Sequence, residues 1–228
     1  MTAETVTTQR RTFWQQAKYV ARRAIGMELA IWVSLYRFIF RKPAVPAGAD
    51  AFSYHRPILS VMIIFIVLSA VEIPVVDMIV HGWPYIRIPF LILGIWGLTW
   101  MLGFLFGYLT SPHTVGPAGI RVRDGAEVVL PISWDDLHAV EVKKEVAGPE
   151  KVPKLSEGEG GAILHLRVQN ETNLAITLER PVEFRLPQGP VTVREIRFHA
   201  DEPKRFMDAV RHHLDRDHRS SDSPGSKG

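Results

Sequence analysis

The chain has 228 residues, a formal net charge of +3 and no cysteine. Without thiols there are no disulfides, thiol nucleophiles or cysteine-ligated metals. The mild basic bias suits an anionic membrane face and is too weak for nucleic-acid binding.

Residues 1–11 are Thr-rich, lack the compact apolar core of a signal peptide and are expected to be disordered. From residue 12 a helical period begins. Phe13, Ala17, Val20, Ala24, Met27, Ile31, Leu35 and Phe38 trace one apolar face, with Arg11, Gln15, Lys18, Arg22 and Arg23 on the other. This predicts an amphipathic helix over 12–42, lying in the interface of the cytoplasmic leaflet. Packing on the soluble domain or on a second copy is the alternative. A third span over 24–40 is disfavoured by Glu28 and Arg37 within it. The Pro-rich stretch 43–57 reads as a linker.

Two apolar runs follow, 58–80 and 88–109, separated by a seven-residue polar connector. Each exceeds the roughly 20 residues a helix needs to cross a bilayer core, so 58–110 reads as a transmembrane hairpin. Lys and Arg concentrate before residue 58 and resume at Arg121 and Arg123, while the connector holds only Arg87. The positive-inside rule then puts both termini in the cytoplasm and the turn outside the inner membrane of a bacterial cell. Glu72 and Asp77 interrupt the first run. Acidic groups at such depth are costly, so they face protein or water; Asp77 has His81 and Arg87 within reach as partners. Gly103 and Gly107 form a GxxxG pair that lets helices approach closely, within the hairpin or between two copies.

Beyond Pro112 the period becomes alternating. Strands are expected at 119–123, 127–132, 139–146, 162–169, 174–179, 182–186 and 192–198, with a tight turn at Asp124-Gly125 and a loop over 147–161. Asp201 reads as the N-cap of a final amphipathic helix carrying Phe206, Ala209, Val210, His213 and Leu214. The polar tail from 215 is expected to be disordered. TVGPAGIRVR at 114–123 followed by LPISWDDL at 130–137 resembles the opening of bacterial pleckstrin-homology-like domains. That resemblance, over about 114–214, implies an α+β membrane protein whose cytoplasmic PH-like antiparallel barrel or sandwich of about seven strands, the domain 112–214, is capped by a C-terminal helix. It also implies headgroup or protein binding.

Headgroup recognition needs converging basic side chains. Arg121 and Arg123 point away from the core by strand alternation, and Lys143 and Lys144 are candidates to join them. Trp134 reads as core and Asp135-Asp136 as turn caps. No nucleophile triad, phosphate loop or metal-ligand spacing is present, so no catalytic residue, cofactor or metal is expected. The sequence reads as a non-enzymatic, membrane-tethered binding or scaffolding protein. Its expected partners are membrane lipids, an unidentified membrane or cytoplasmic protein, or its own copy. The rival reading is an accessory subunit of a transport or channel complex using Glu72 and Asp77.

Overall fold

A computed structural model describes residues 13–40, 45–125, 127–148, 153–158 and 160–221. The disorder expected over 1–11 lies outside the described residues, as does 222–228; the rest of the tail expected to be disordered, 215–221, is helical and continues the C-terminal helix.

Helices α2 (Arg56–Ile79) and α3 (Pro84–Thr110) form the hairpin, each with proline in its first turn. Both are long and apolar enough to cross a membrane, and no residue of α2 is buried. Gly94 lets them meet: a Cβ there would lie 2.9 Å from Ile73 Cγ1.

Helix α1 (Phe13–Ile39) differs from the interfacial helix expected. It runs beside α3 in the same direction: Glu28 accepts from Trp100 Nε1 at 2.7 Å, Ile31 fills the notch at Gly103, Ser34 lies over Gly107 and Phe38 stacks on Phe106. A Cβ at Gly103 would sit 2.9 Å from Ile31 Cβ, so only glycine admits this approach. Gly94 and Gly103, nine residues apart, lie about 180° apart around a 3.6-residue helix, so α2 and α1 flank α3 on opposite sides. The parallel register places the start of α1 toward the turn at 80–83. Side-chain fit to the α3 glycines sets this direction.

Among the described residues, nine strands make two sheets, and no closed barrel of about seven strands forms. The first sheet has the order β1 (Asp50–Phe52), β2 (His113–Gly116), β3 (Gly119–Asp124), β4 (Val128–Ile132), all antiparallel. Strand β1 lies in the expected linker; pairing with β2 and burial of Phe52 outweigh its Pro- and Gly-rich surroundings. The turn after Asp124 forms, with Gly125 at φ +58°.

The second sheet has the order β5 (Leu137–Val146), β8 (Glu171–Leu186), β9 (Gly189–Phe198), β7 (Gly161–Leu166), β6 (Lys154–Gly158). Strand β6 occupies part of the expected loop. The two strands expected at 174–179 and 182–186 are one, β8, with a register shift between Thr177 and Val182. Strands β7 and β9 pair in parallel, a contact that adjacent-hairpin reasoning does not generate.

Helix α4 (Pro203–Ser221) closes the core and runs past the expected end at Leu214. The core lies between the sheets, built from Val115, Ile120, Val122 and Leu130 on one side and Leu164, Leu174, Ile176, Ile196 and Phe198 on the other. Phe206 and Val210 seal it. Trp134, in a 3-10 turn (Trp134–Asp136), packs against this core and donates to the Gly116 carbonyl at 3.1 Å; Asp136 binds Arg180.

The seam between hairpin and β domain is tightly bonded. Asp201 caps α2, not α4: its carboxylate accepts the backbone N–H of Arg56 at 3.3 Å, placing negative charge at the positive end of α2. Tyr54, buried, accepts from the Gly125 N–H at 2.8 Å and stacks on His113 at 4.4 Å. His113 Nδ1 accepts from the Arg123 N–H, so Nε2 carries the proton it gives to the His199 carbonyl.

Candidate functional site: a charged cleft on the five-stranded sheet

Alternation along the second sheet sends Leu164, Leu166, Leu174, Ile176, Ile196 and Phe198 into the core. The residues between them face outward. Sheet register brings those outward residues together: His165 lies opposite Arg197 across β7–β9 and opposite Lys154 across β6–β7, and Glu195 opposite Thr177 across β8–β9. They line a cleft of about 720 Å³.

An unbroken polar network forms its floor. Arg167 Nη2 donates to Glu145 Oε1 at 2.8 Å, Arg197 Nη1 donates to Glu145 Oε2, and Arg197 Nε donates to Glu195 Oε1 at 2.6 Å. Lys143 reaches Glu195 at 3.5 Å from the rim. The side chains of His165 and Arg167 are only 3% and 5% exposed, a degree of burial unusual for charged groups off the core face. Burial opposes the charge on Glu145 and Glu195, but the hydrogen bonds from the arginines outweigh it and hold both carboxyls below their usual range. Burial, then the neighbouring Arg167, depresses His165.

Ser156, His165 and Glu145 stand in the order of nucleophile, base and orienting carboxylate, with Ser156 Oγ 2.7 Å from His165 Nε2. The proton inventory does not suit that chemistry. Arg167 Nη2, always a donor, lies 3.2 Å from His165 Nδ1. Nδ1 therefore accepts, Nε2 carries the proton, and the imidazole donates to the serine instead of taking its proton. The arrangement is suited to holding a polar partner.

The turn that follows Arg167 ties the β domain to the hairpin. Two residues after Arg167, Gln169 (φ +48°) and Asn170 (φ +68°) form a two-residue left-handed turn closed by Val168 and Glu171. Gln169 Nε2 donates to the Pro57 carbonyl at 2.7 Å, tying this turn to the first turn of α2.

The sequence candidates separate into three places. Lys143 lines the cleft, whereas Lys144, in the same β5 irregularity, turns to Glu171 at 3.6 Å. Arg121 and Arg123 lie on β3 in the other sheet and do not join them. Glu72 and Asp77 line a groove of about 440 Å³ between α2 and α3, with Ser69, Gly94 and Gly97. There Asp77 is clamped by Arg87 at 2.5 and 2.9 Å, while His81 is exposed in the turn. Gly103 and Gly107 receive α1. Glu145, His165, Arg167, Glu195 and Arg197 escape sequence reasoning: alternation places them off the core face, but their convergence depends on the parallel β7–β9 pair.

No protein-family model, curated protein or solved structure matches this chain.

Proposed function

We propose that this chain is a membrane-tethered, non-enzymatic binding protein. In this reading the α2–α3 hairpin crosses the cytoplasmic membrane with its turn outside. The β domain then sits on the cytoplasmic leaflet and offers its charged cleft to a protein partner. The observation that carries the reading is the cleft itself: a pre-organised charged floor on the outward face of the five-stranded sheet, in a domain that Gln169 and Asp201 bond to the start of α2. Tethering raises the effective concentration of such a surface for membrane-bound partners. The residue resemblance to bacterial PH-like domains supports a binding role. The groove around Glu72 is a weaker basis for an ion path, since Arg87 neutralises Asp77.

Crosslinking in native membranes followed by co-purification tests this. Lys143→Glu reverses the charge at the rim and Thr177→Arg fills the cleft, and Lys144→Glu is the control outside it. Partners captured by the wild type are expected to be lost in the cleft variant and kept in the control. Equal capture by all three proteins contradicts the cleft as the partner surface.

A further inference from the structure

Three arginines gather where the hairpin meets the β domain. Arg121 and Arg123 lie two residues apart on the outer face of β3, about 7 Å from one another. Ser34 over Gly107 and Phe38 on Phe106 bring Arg37, in the last turn of α1, level with the last turns of α3. The end of β3 docks at that same level, with Gly125 against Tyr108 and bonded to the Tyr54 hydroxyl.

These arginines lack the carboxylate partner that several other arginines have, a lack they share, among the described residues, with Arg185 and Arg194. Arg56, Arg87, Arg167, Arg180 and Arg197 each face a carboxylate. Among the described residues, Arg37, Arg121 and Arg123 make no ion pair, and Arg123 Nε is shut from solvent with no hydrogen-bond acceptor. Burial, then the guanidiniums of Arg121 and Arg37, press the Arg123 pKa down, and the opposing influence is the Tyr54 phenol. Gathering like charges in a partly desolvated seam is unfavourable until an anion joins them. A phosphate group is the anion whose oxygens match the guanidinium fork.

We propose that Arg37, Arg121 and Arg123 form a site for a phosphate group, supplied by an anionic phospholipid of the leaflet that faces the β domain. The inference rests on the reading of α2 and α3 as a membrane hairpin, which places this seam at the depth of lipid phosphates. The site is separate from the charged cleft, so one chain holds a lipid at its seam and a protein at its sheet.

The test uses the full-length protein, delipidated in detergent and titrated calorimetrically with dihexanoyl phosphatidylglycerol, dihexanoyl phosphatidylcholine and inorganic phosphate. The glycerol lipid is expected to bind most tightly. Its affinity is expected to fall roughly tenfold in Arg37→Gln/Arg121→Gln/Arg123→Gln, the scale of losing charge-assisted hydrogen bonds. Lys143→Gln/Lys144→Gln is expected to bind as wild type. Arg121→Gln alone, at a partly exposed position, is expected to show a smaller loss with an unchanged melting temperature, which separates binding from folding. Unchanged affinity in the triple variant, or equal binding of the choline lipid, overturns the site. Equally tight inorganic phosphate overturns the lipid as its source. Carbonate extraction of the same membranes tests the hairpin separately: a chain that washes off contradicts the hairpin, whereas a retained chain with unaltered lipid binding contradicts the arginines.

Discussion

Phe206→Ala is expected to destabilise the β domain by about 3–5 kcal/mol, the cost of removing a buried aromatic ring and leaving a cavity. Phe206 is fully buried, with its ring 5.1 Å from Phe52 and 5.4 Å from Phe198, both at edge-on angles. Those two rings come from β1 and β9, strands of different sheets, so Phe206 joins both sheets to α4. The cavity has little means of collapse, because Leu174, Ile176 and Ile196 around it are held by sheet hydrogen bonds. The loss is comparable to the net stability of a small domain. The measurement is thermal unfolding of the full chain with limited proteolysis. The β domain is expected to become protease-sensitive well below the wild-type transition while α2 and α3 stay helical. An unchanged transition contradicts the assignment of Phe206 as the closing residue.

The second large effect is on acid stability. Burial pushes His113 down from 6.5 to about 4, with both ring nitrogens bonded to backbone. The unfolded chain therefore binds a proton between pH 6.5 and 4 that the folded chain refuses. Stability is full above pH 6.5 and falls by about 3 kcal/mol as the pH drops to 4. His55 and His199 are depressed by burial and act in the same direction. Asp124 acts oppositely. Burial, then Glu127, raises its carboxyl to about 6, so the folded state holds a proton there and acidification through pH 6 is stabilising. Asp124→Asn is expected to raise the melting temperature at pH 7, where the wild-type carboxylate is charged and half-buried. At pH 4.5, where the wild type is protonated, it is expected to leave the melting temperature unchanged. The variant should thus lose more stability than wild type between those two values. Parallel pH profiles for the two proteins contradict this account of the seam.

What the sequence made legible follows from range. The hairpin was readable because two long apolar runs satisfy a length condition that needs no partner. The β domain was readable from alternation, and the Asp124 turn from its glycine. What stayed hidden depends on contacts between distant segments. Strand β1 is three residues inside a Pro-rich stretch and exists because β2 pairs with it. Asp201 has the look of an N-cap and stands before α4, yet its carboxylate serves the helix that begins at Arg56. The direction of α1 depends on Ile31 and Ser34 fitting Gly103 and Gly107; its amphipathic period carries no information about that fit. Of four basic candidates, Lys143 reaches the cleft and Lys144 does not, since the register shift in β5 divides them. The cleft draws on β5, β6, β7, β8 and β9, and no spacing along the chain announces it.

The central claim is that the hairpin places its turn and the β domain on opposite faces of a membrane. Because the chain has no cysteine, single substitutions report without background. Gly82→Cys lies in the open turn and Glu183→Cys on the exposed outer side of β8. A membrane-impermeant maleimide applied to intact cells is expected to label the first and spare the second, with the pattern reversed in inside-out vesicles. Labelling of both from the same face contradicts the hairpin on which the rest of the account depends.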